Sequence, residues 1–117
     1  MATSIIPKPM SGYSFEKYNN SANNVVYKVG STVFLTCTNG TFYSDSTSDP
    51  IRVGSASGPE WILSEKYRPV NTVEIIDTLG QRRINISTDG KVVCKTAALN
   101  GTNLRFSACW ITDARFS

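Results

Sequence analysis

The sequence offers few of the groups that carry out covalent or metal-assisted chemistry. Its 117 residues include no histidine, so neither a Ser-His-Asp nor a Cys-His arrangement can form and imidazole metal ligands are missing. The three cysteines, Cys37, Cys94 and Cys109, provide no Cys-x-x-Cys pair, which leaves a structural zinc site without its usual spacing. Their odd number and apolar surroundings predict reduced, buried thiols. We therefore expect no metal and no cofactor.

Paired carboxylates are the remaining route to catalysis. Asp45 with Asp49, and Glu60 with Glu65, are close in sequence, and a glycosidase needs two such groups. With nine acidic residues in the chain, pairs of this kind are expected by chance. The segment from Asp45 to Asp49 also meets only part of the ligand pattern of a calcium loop. The sequence favours a protein that binds rather than catalyses, and an acid pair assembled from distant strands is the alternative.

Charge and hydropathy restrict the partners. The net charge of +3 comes from 12 basic and 9 acidic residues that are scattered along the chain, which is not the pattern of a nucleic-acid-binding protein. No segment approaches the roughly 20 apolar residues of a membrane-spanning helix. The first residues, Met1 to Ser4, lack the basic and apolar regions of an export signal. We expect a soluble protein with no membrane insertion and no nucleic-acid partner.

The hydrophobic pattern predicts an all-β fold with little or no helix. From Val25 onward, short apolar runs alternate with turn residues, which is typical of an antiparallel β-sandwich or barrel, jelly-roll-like in architecture. The strongest hairpin signal is Asp89-Gly90 between the runs 83–87 and 91–95, and the cleanest alternation is in the run 104–111. The side chains expected to face inward are Ile84, Ile86, Val92 and Cys94 in the hairpin, and Leu104, Phe106, Ala108 and Trp110 in the last strand.

The chain divides into a lead-in and a single β head domain. Residues 1–22 contain Pro7, Pro9 and Gly12 and show no strand alternation, so they are interpreted as a linker or neck lead-in. Residues 23–117 form the head domain. Within it, the Ser-, Asp- and Gly-rich segment 44–59 predicts long surface loops.

Several segments resemble, in their order, one known class of module. They are Tyr27–Gly30, Val33–Leu35, Tyr67–Pro69, Ile84–Val92 and the closing run Leu104–Thr112. Together they are similar to the C-terminal head modules of tail-fibre and receptor-binding proteins of phages that infect Gram-positive bacteria. The resemblance spans roughly residues 25–112.

The resemblance implies a function as well as a fold. Such a head is an antiparallel β-sandwich or barrel, normally a homotrimer at the end of a longer fibre, and it attaches the virion to host cell-wall saccharide. Its expected partners are that saccharide and other phage tail or baseplate proteins. Its expected location is the tail tip or fibre of the virion, after assembly in the bacterial cytoplasm. The alternative is a structural or trimerisation module of a fibre or baseplate without a ligand of its own.

A saccharide site needs an aromatic face and side chains that form paired hydrogen bonds with hydroxyls, usually on loops over a rigid sheet. The segment from Tyr43 through Asp45, Asp49 and Arg52 to Trp61 combines these residue types in the least regular part of the chain. We predict these five residues as the ligand-binding site. For Trp61, a place in the core or in a trimer contact is an equal alternative, because a Trp ring buries much area in either role. Trp110 is expected in the core.

Overall fold

The computed structural model of the protein describes residues 13–17, 24–38 and 40–112. This part of the chain is all-β, with ten strands, one 3-10 turn at Glu65–Tyr67 and no α-helix. No helix in these residues is long and apolar enough to cross a membrane. The strands are β1 (Tyr13–Lys17), β2 (Asn24–Val29), β3 (Thr32–Cys37), β4 (Thr41–Tyr43), β5 (Arg52–Val53), β6 (Val73–Ile76), β7 (Arg83–Ile86), β8 (Val92–Cys94), β9 (Asn100–Asn103) and β10 (Phe106–Ile111).

The strands form three small antiparallel sheets. The largest has the order β1-β2-β3-β10, and the others have the orders β5-β4-β9 and β6-β7-β8. In the largest sheet the last strand returns to pair with β3, so that Phe106 lies opposite Cys37 and Ile111 lies opposite Thr32. The antiparallel all-β class predicted from the alternation of apolar runs and turns is confirmed.

One hydrophobic core joins the three sheets, because each sheet turns alternate side chains toward it. The inward set predicted for the hairpin is confirmed, since Ile84, Ile86, Val92 and Cys94 are all fully buried. The set predicted for the last strand also holds, with Leu104, Phe106 and Trp110 buried and Ala108 packed against the core. Trp110 additionally donates a hydrogen bond from Nε1 to the Tyr67 carbonyl oxygen at 2.7 Å, which satisfies its polar atom inside the core.

The turn between β7 and β8 forms as its sequence predicts. Gly90 has a φ of +89°, a backbone conformation that side chains other than glycine rarely adopt. The Gly90 N–H donates to the Ser87 carbonyl at 2.9 Å, and the Ser87 N–H donates to the Lys91 carbonyl at 3.0 Å. The Ser87 hydroxyl also donates to Asp89, and this bond holds the pKa of the Asp89 carboxyl below its ordinary value. The hairpin is thus closed by both main-chain and side-chain bonds.

The expectation that residues 1–22 contribute no strand is wrong at Tyr13–Lys17. This segment forms β1 and pairs with β2 in antiparallel register, with Tyr13 opposite Val29 and Lys17 opposite Val25. The short run Tyr13-Ser14-Phe15-Glu16 does alternate apolar and polar residues. It also pairs with the edge of β2, which would otherwise present unpaired N–H and C=O groups. The rest of the predicted lead-in, residues 1–12 and 18–22, lies outside the described residues.

The three cysteines are free, but they differ in exposure. Cys37 and Cys94 are buried, and the Cys37 thiol donates to the Leu104 carbonyl at 3.3 Å. Burial raises the pKa of Cys37 to about 12, so its thiol stays protonated at neutral pH. Cys109 is exposed, which corrects the expectation of three buried thiols. The alternation of β10 explains the difference, because Cys109 lies between the inward-facing Ala108 and Trp110.

We expect thiol labelling of the folded protein to separate these environments. A maleimide should modify Cys109 within minutes, whereas Cys37 and Cys94 should react only when the chain is unfolded in denaturant, because reaction requires an accessible thiolate. Intact-mass spectrometry of the native protein should show one adduct, and Cys109→Ser should show none. Labelling of Cys37 as fast as that of Cys109 would contradict the buried position of β3.

Candidate functional site

The two aspartates of the predicted site lie on the exposed loop that follows β4. The Ser46 hydroxyl donates to Asp49 Oδ2 at 2.9 Å, so the carboxylate of Asp49 is engaged within its own loop. The loop is anchored at its start by Ser44, which is buried and exchanges two hydrogen bonds with the backbone of Leu99 at 2.9 and 3.0 Å. Asp45 and Asp49 themselves are solvent-exposed. Neither aspartate belongs to a strand, so no strand pairing fixes it beside the other predicted residues.

Tyr43 and Arg52 are brought together by strand pairing. The register of the β5-β4-β9 sheet places Arg52 directly opposite Tyr43 on one side and Asn100 opposite Tyr43 on the other. An isolated bridge then pairs Arg52 with Glu60. Side chains directly opposite each other across antiparallel strands have Cβ atoms about 5 Å apart. Glu60, Arg52, Tyr43 and Asn100 therefore form one line across the sheet, which we call the Tyr43 row.

The row faces outward because the same strands bury the alternate residues. Phe42 is fully buried and Val53 is 5% exposed, and both belong to the core. Their neighbours Tyr43 and Arg52 are half-buried on the opposite face, and Asn100 is exposed. Strand alternation thus gives one sheet a core face and a polar, aromatic outer face.

The guanidinium of Arg52 is oriented by two contacts. Its Nη1 donates to the Gly58 carbonyl oxygen at 3.1 Å, and its Nη2 lies 3.8 Å from Glu60 Oε2. Gly58 is required for this arrangement, since a Cβ at its position would lie only 2.2 Å from the Val53 carbonyl oxygen. An arginine carries five N–H donors in a planar fork. Held in this way and 32% exposed, Arg52 presents donors to solvent in a fixed direction.

The position of Tyr43 depends on an irregularity in β9. The pairing register between β4 and β9 shifts after Phe42, and Gly101, with a φ of +67°, lies at the shift. The Tyr43 hydroxyl is 3.4 Å from the position that a Cβ on Gly101 would occupy. The far end of the phenol ring therefore lies beside Gly101, whose positive φ accommodates the irregularity in β9.

Trp61 is not part of this surface, and its prediction as a ligand-binding residue is corrected. Its ring is fully buried, stacked on Phe42 at 5.6 Å between centroids and tilted against Phe106 at 5.7 Å. The backbone N–H of Trp61 donates to the Ile51 carbonyl at 2.7 Å, and its backbone carbonyl accepts from the Val92 N–H at 3.1 Å. A ring with no exposed face cannot stack on a ligand from solvent. The core role left open for Trp61 is the one observed.

Sequence reasoning missed two members of the row. Glu60 was considered only as half of a carboxylate pair, and Asn100 is far from Tyr43 along the chain. The motif Asn100-Gly101 does predict a turn or a backbone irregularity, but the strand that it pairs with is fixed only by the tertiary register. No local spacing could have placed Asn100 beside Tyr43.

The buried carboxylate of Asp77 is engaged in the connection between two strands. Asp77 is buried, and its Oδ1 accepts the N–H groups of Gln81 and Arg82 at 2.9 and 3.0 Å, so it closes the connection between β6 and β7. No group of three or more His, Cys, Asp or Glu side chains in the described residues could hold a metal ion.

No protein-family model, curated protein or solved structure matches the chain. The geometry of the outer face is therefore the basis for the assignment of function.

Proposed function

We propose that the protein is a non-enzymatic adhesion module that binds saccharide through the Tyr43 row. The single observation that carries this proposal is the register of the β5-β4-β9 sheet, which aligns Tyr43, Arg52, Glu60 and Asn100 on its outer face. The inner face of the same sheet is part of the core, so the row sits on a rigid support. Such pre-organisation lowers the entropic cost of binding.

The chemistry of the row matches a sugar ring. A tyrosine ring is an apolar surface against which the C–H groups of a pyranose can pack, and its hydroxyl is both donor and acceptor. The planar groups of the row suit vicinal hydroxyls, because Arg52 provides two donor nitrogens, Glu60 two acceptor oxygens, and Asn100 one donor nitrogen beside one acceptor oxygen. A saccharide bound in this way makes shallow contacts, and its affinity for one site is low.

The biological setting that we propose is the receptor-binding head of a phage that infects Gram-positive bacteria. Two observations support this setting: the segments that resemble such heads occur in the same order along the sequence, and the fold is all-β. In this setting the head is a homotrimer joined to other tail or baseplate proteins at the tip or fibre of the virion, assembled in the bacterial cytoplasm. Several low-affinity sites on one particle then give a useful avidity for the cell wall.

Binding of the purified chain to fractionated wall saccharides of Gram-positive bacteria tests this function. We expect Tyr43→Ala to weaken binding about tenfold or more, because it removes the central ring of the row. Glu74→Ala is the matched control, since Glu74 is exposed on β6 and belongs to another sheet. Biolayer interferometry with immobilised saccharide fractions measures both. Equal binding by the two variants, or turnover of the saccharide by the unsubstituted chain, would contradict the proposal.

A second candidate, a trimerisation or structural module without a ligand, is favoured by a different surface. The outer face of the β1-β2-β3-β10 sheet carries Val29, which is 42% exposed, and Ile111, which is 54% exposed. The register places both opposite Thr32, so they lie in one line across the sheet. A mass measurement in solution that shows a trimer, together with no binding to any wall fraction, would favour this function over adhesion.

A further inference from the structure

Three shallow depressions form one groove that the Tyr43 row does not include. The first, of about 290 Å³, lies beside the stacked rings of Tyr27 and Phe34. The second, of about 220 Å³, shares Thr36 and Ser107 with the first. The groove therefore runs along the outer surface of β3 and β10.

The groove continues toward the Tyr43 row. The third depression, of about 190 Å³, shares Thr78 and Arg105 with the second and ends at Asn103. Asn103 pairs with Thr41, which precedes Tyr43 by two residues on the same strand and so lies on the same face. We call the surface from Tyr27 to Asn103 the Arg105 groove, because Arg105 lines two of its three depressions.

The backbone of Arg105 is held in place, whereas its charged side chain is exposed. Its carbonyl accepts the Thr78 N–H at 2.9 Å, and its neighbours Leu104 and Phe106 are buried, so its backbone is held between two core residues. Its side chain is exposed, and no described carboxylate forms a salt bridge with it.

The rest of the lining suits a polyhydroxylated ligand. The middle of the groove is lined by Thr36, Thr38, Thr78 and Ser107, which carry hydroxyl groups, together with Cys37 and Phe106, and no described lining residue is acidic. Hydroxyls both donate and accept, whereas the guanidinium only donates and prefers a planar oxyanion that it can bind through two N–H groups. A guanidinium beside hydroxyl-bearing residues, with no described carboxylate in the lining, suits a sugar that carries a carboxylate.

We propose that the Arg105 groove is a second subsite, which binds an acidic sugar of the saccharide chain through Arg105. This inference rests on the proposed function for the nature of the ligand. It adds that the ligand is an extended, negatively charged saccharide. Neighbouring sugar units of this saccharide contact the Tyr43 row and the Arg105 groove at the same time.

NMR titration of the isotope-labelled chain with glucuronate tests the groove by itself. We expect saturable shifts of the backbone signals of Thr78 and Arg105. The methyl ester of glucuronate should bind about tenfold more weakly, because it cannot form the charge-assisted pair. Arg105→Gln should lose the response to glucuronate. Arg83→Gln, which removes the same charge from an exposed position on β7, should keep it.

The possible outcomes separate the two proposals. Equal shifts with glucuronate and its ester, an unchanged response in Arg105→Gln, or shifts with a glucose phosphate but not with glucuronate would overturn the carboxylate subsite. Tyr43→Ala should retain the glucuronate shifts at Thr78 and Arg105 while it loses binding to wall saccharide. If the unsubstituted chain responds to glucuronate at Arg105 but binds no wall saccharide, the proposed function fails and the groove remains an acidic-sugar site.

Discussion

Replacement of Trp61 by alanine is expected to lower the free energy of unfolding by about 3–5 kcal/mol, the usual effect of removing a large buried aromatic ring. The ring has no exposed surface and contacts Phe42 from β4 and Phe106 from β10, so it joins two of the three sheets. Small domains are stable by about 5–15 kcal/mol, so this loss is a large share of the total. Urea unfolding followed by far-ultraviolet circular dichroism measures it.

The adjacent residue provides the control for this effect. Ile62 is 38% exposed, and Ile62→Ala should change the stability by no more than about 0.5 kcal/mol, as surface substitutions usually do. Trp61→Phe should fall between the two because it keeps an aromatic ring beside Phe42. If Trp61→Ala unfolds at the same urea concentration as Ile62→Ala, the core position of Trp61 is wrong and its role as a ligand platform must be reconsidered.

Replacement of Gly90 by alanine is the second change with a large expected effect. A Cβ there would lie 2.7 Å from the Leu63 carbonyl oxygen and 2.9 Å from Arg68 Nε, at a buried residue with positive φ. Leu63 also donates its N–H to the Gly90 carbonyl at 2.8 Å, so a shift of the turn weakens the bond that attaches residues 60–68 to the hairpin. We expect a loss of about 3 kcal/mol, at the upper end of the strain from an unfavourable backbone conformation.

The matched variant Gly80→Ala distinguishes the cost of the positive φ from the cost of the close contact made by the added Cβ. Gly80 has a similar positive φ of +71°, but no atom lies within 4 Å of its added Cβ. Gly80→Ala should therefore show only the conformational cost, about 1–2 kcal/mol. Thermal or urea unfolding of both variants gives the difference, and equal losses would mean that the contact of Gly90 with the 60–68 segment contributes nothing to stability.

Local sequence patterns were sufficient to predict the β7–β8 hairpin and the last strand, because short-range preferences determine both. The Asp89-Gly90 turn fixes the β7–β8 register because only glycine fits the required φ, and the inward set of that hairpin follows from the two-residue period. The last strand was predictable for the same reason, since Leu104, Phe106 and Trp110 recur at alternate positions. The class of fold follows from several such segments.

Tertiary pairing decided what local patterns could not. β1 does alternate apolar and polar residues in Tyr13-Ser14-Phe15-Glu16, but this run is short, and its pairing with the edge of β2 makes it a strand. The candidate site was predictable only in part. Tyr43 and Arg52 were found by their residue types, but their alignment with Asn100 depends on the pairing of strands that are distant in sequence. Trp61 was misassigned because residue type alone does not distinguish a buried ring from an exposed one.

The location of bound saccharide is the most direct test of the central claim, that the outer face of the β5-β4-β9 sheet contacts the ligand. The measurement is chemical-shift mapping of the labelled chain on titration with whichever wall-saccharide fraction it binds. The predicted result is that the largest shifts occur at Tyr43, Arg52 and Asn100, in line across the sheet. Shifts confined to Val29 and Ile111, in the line across the β1-β2-β3-β10 sheet, or no shifts with any fraction, would contradict it.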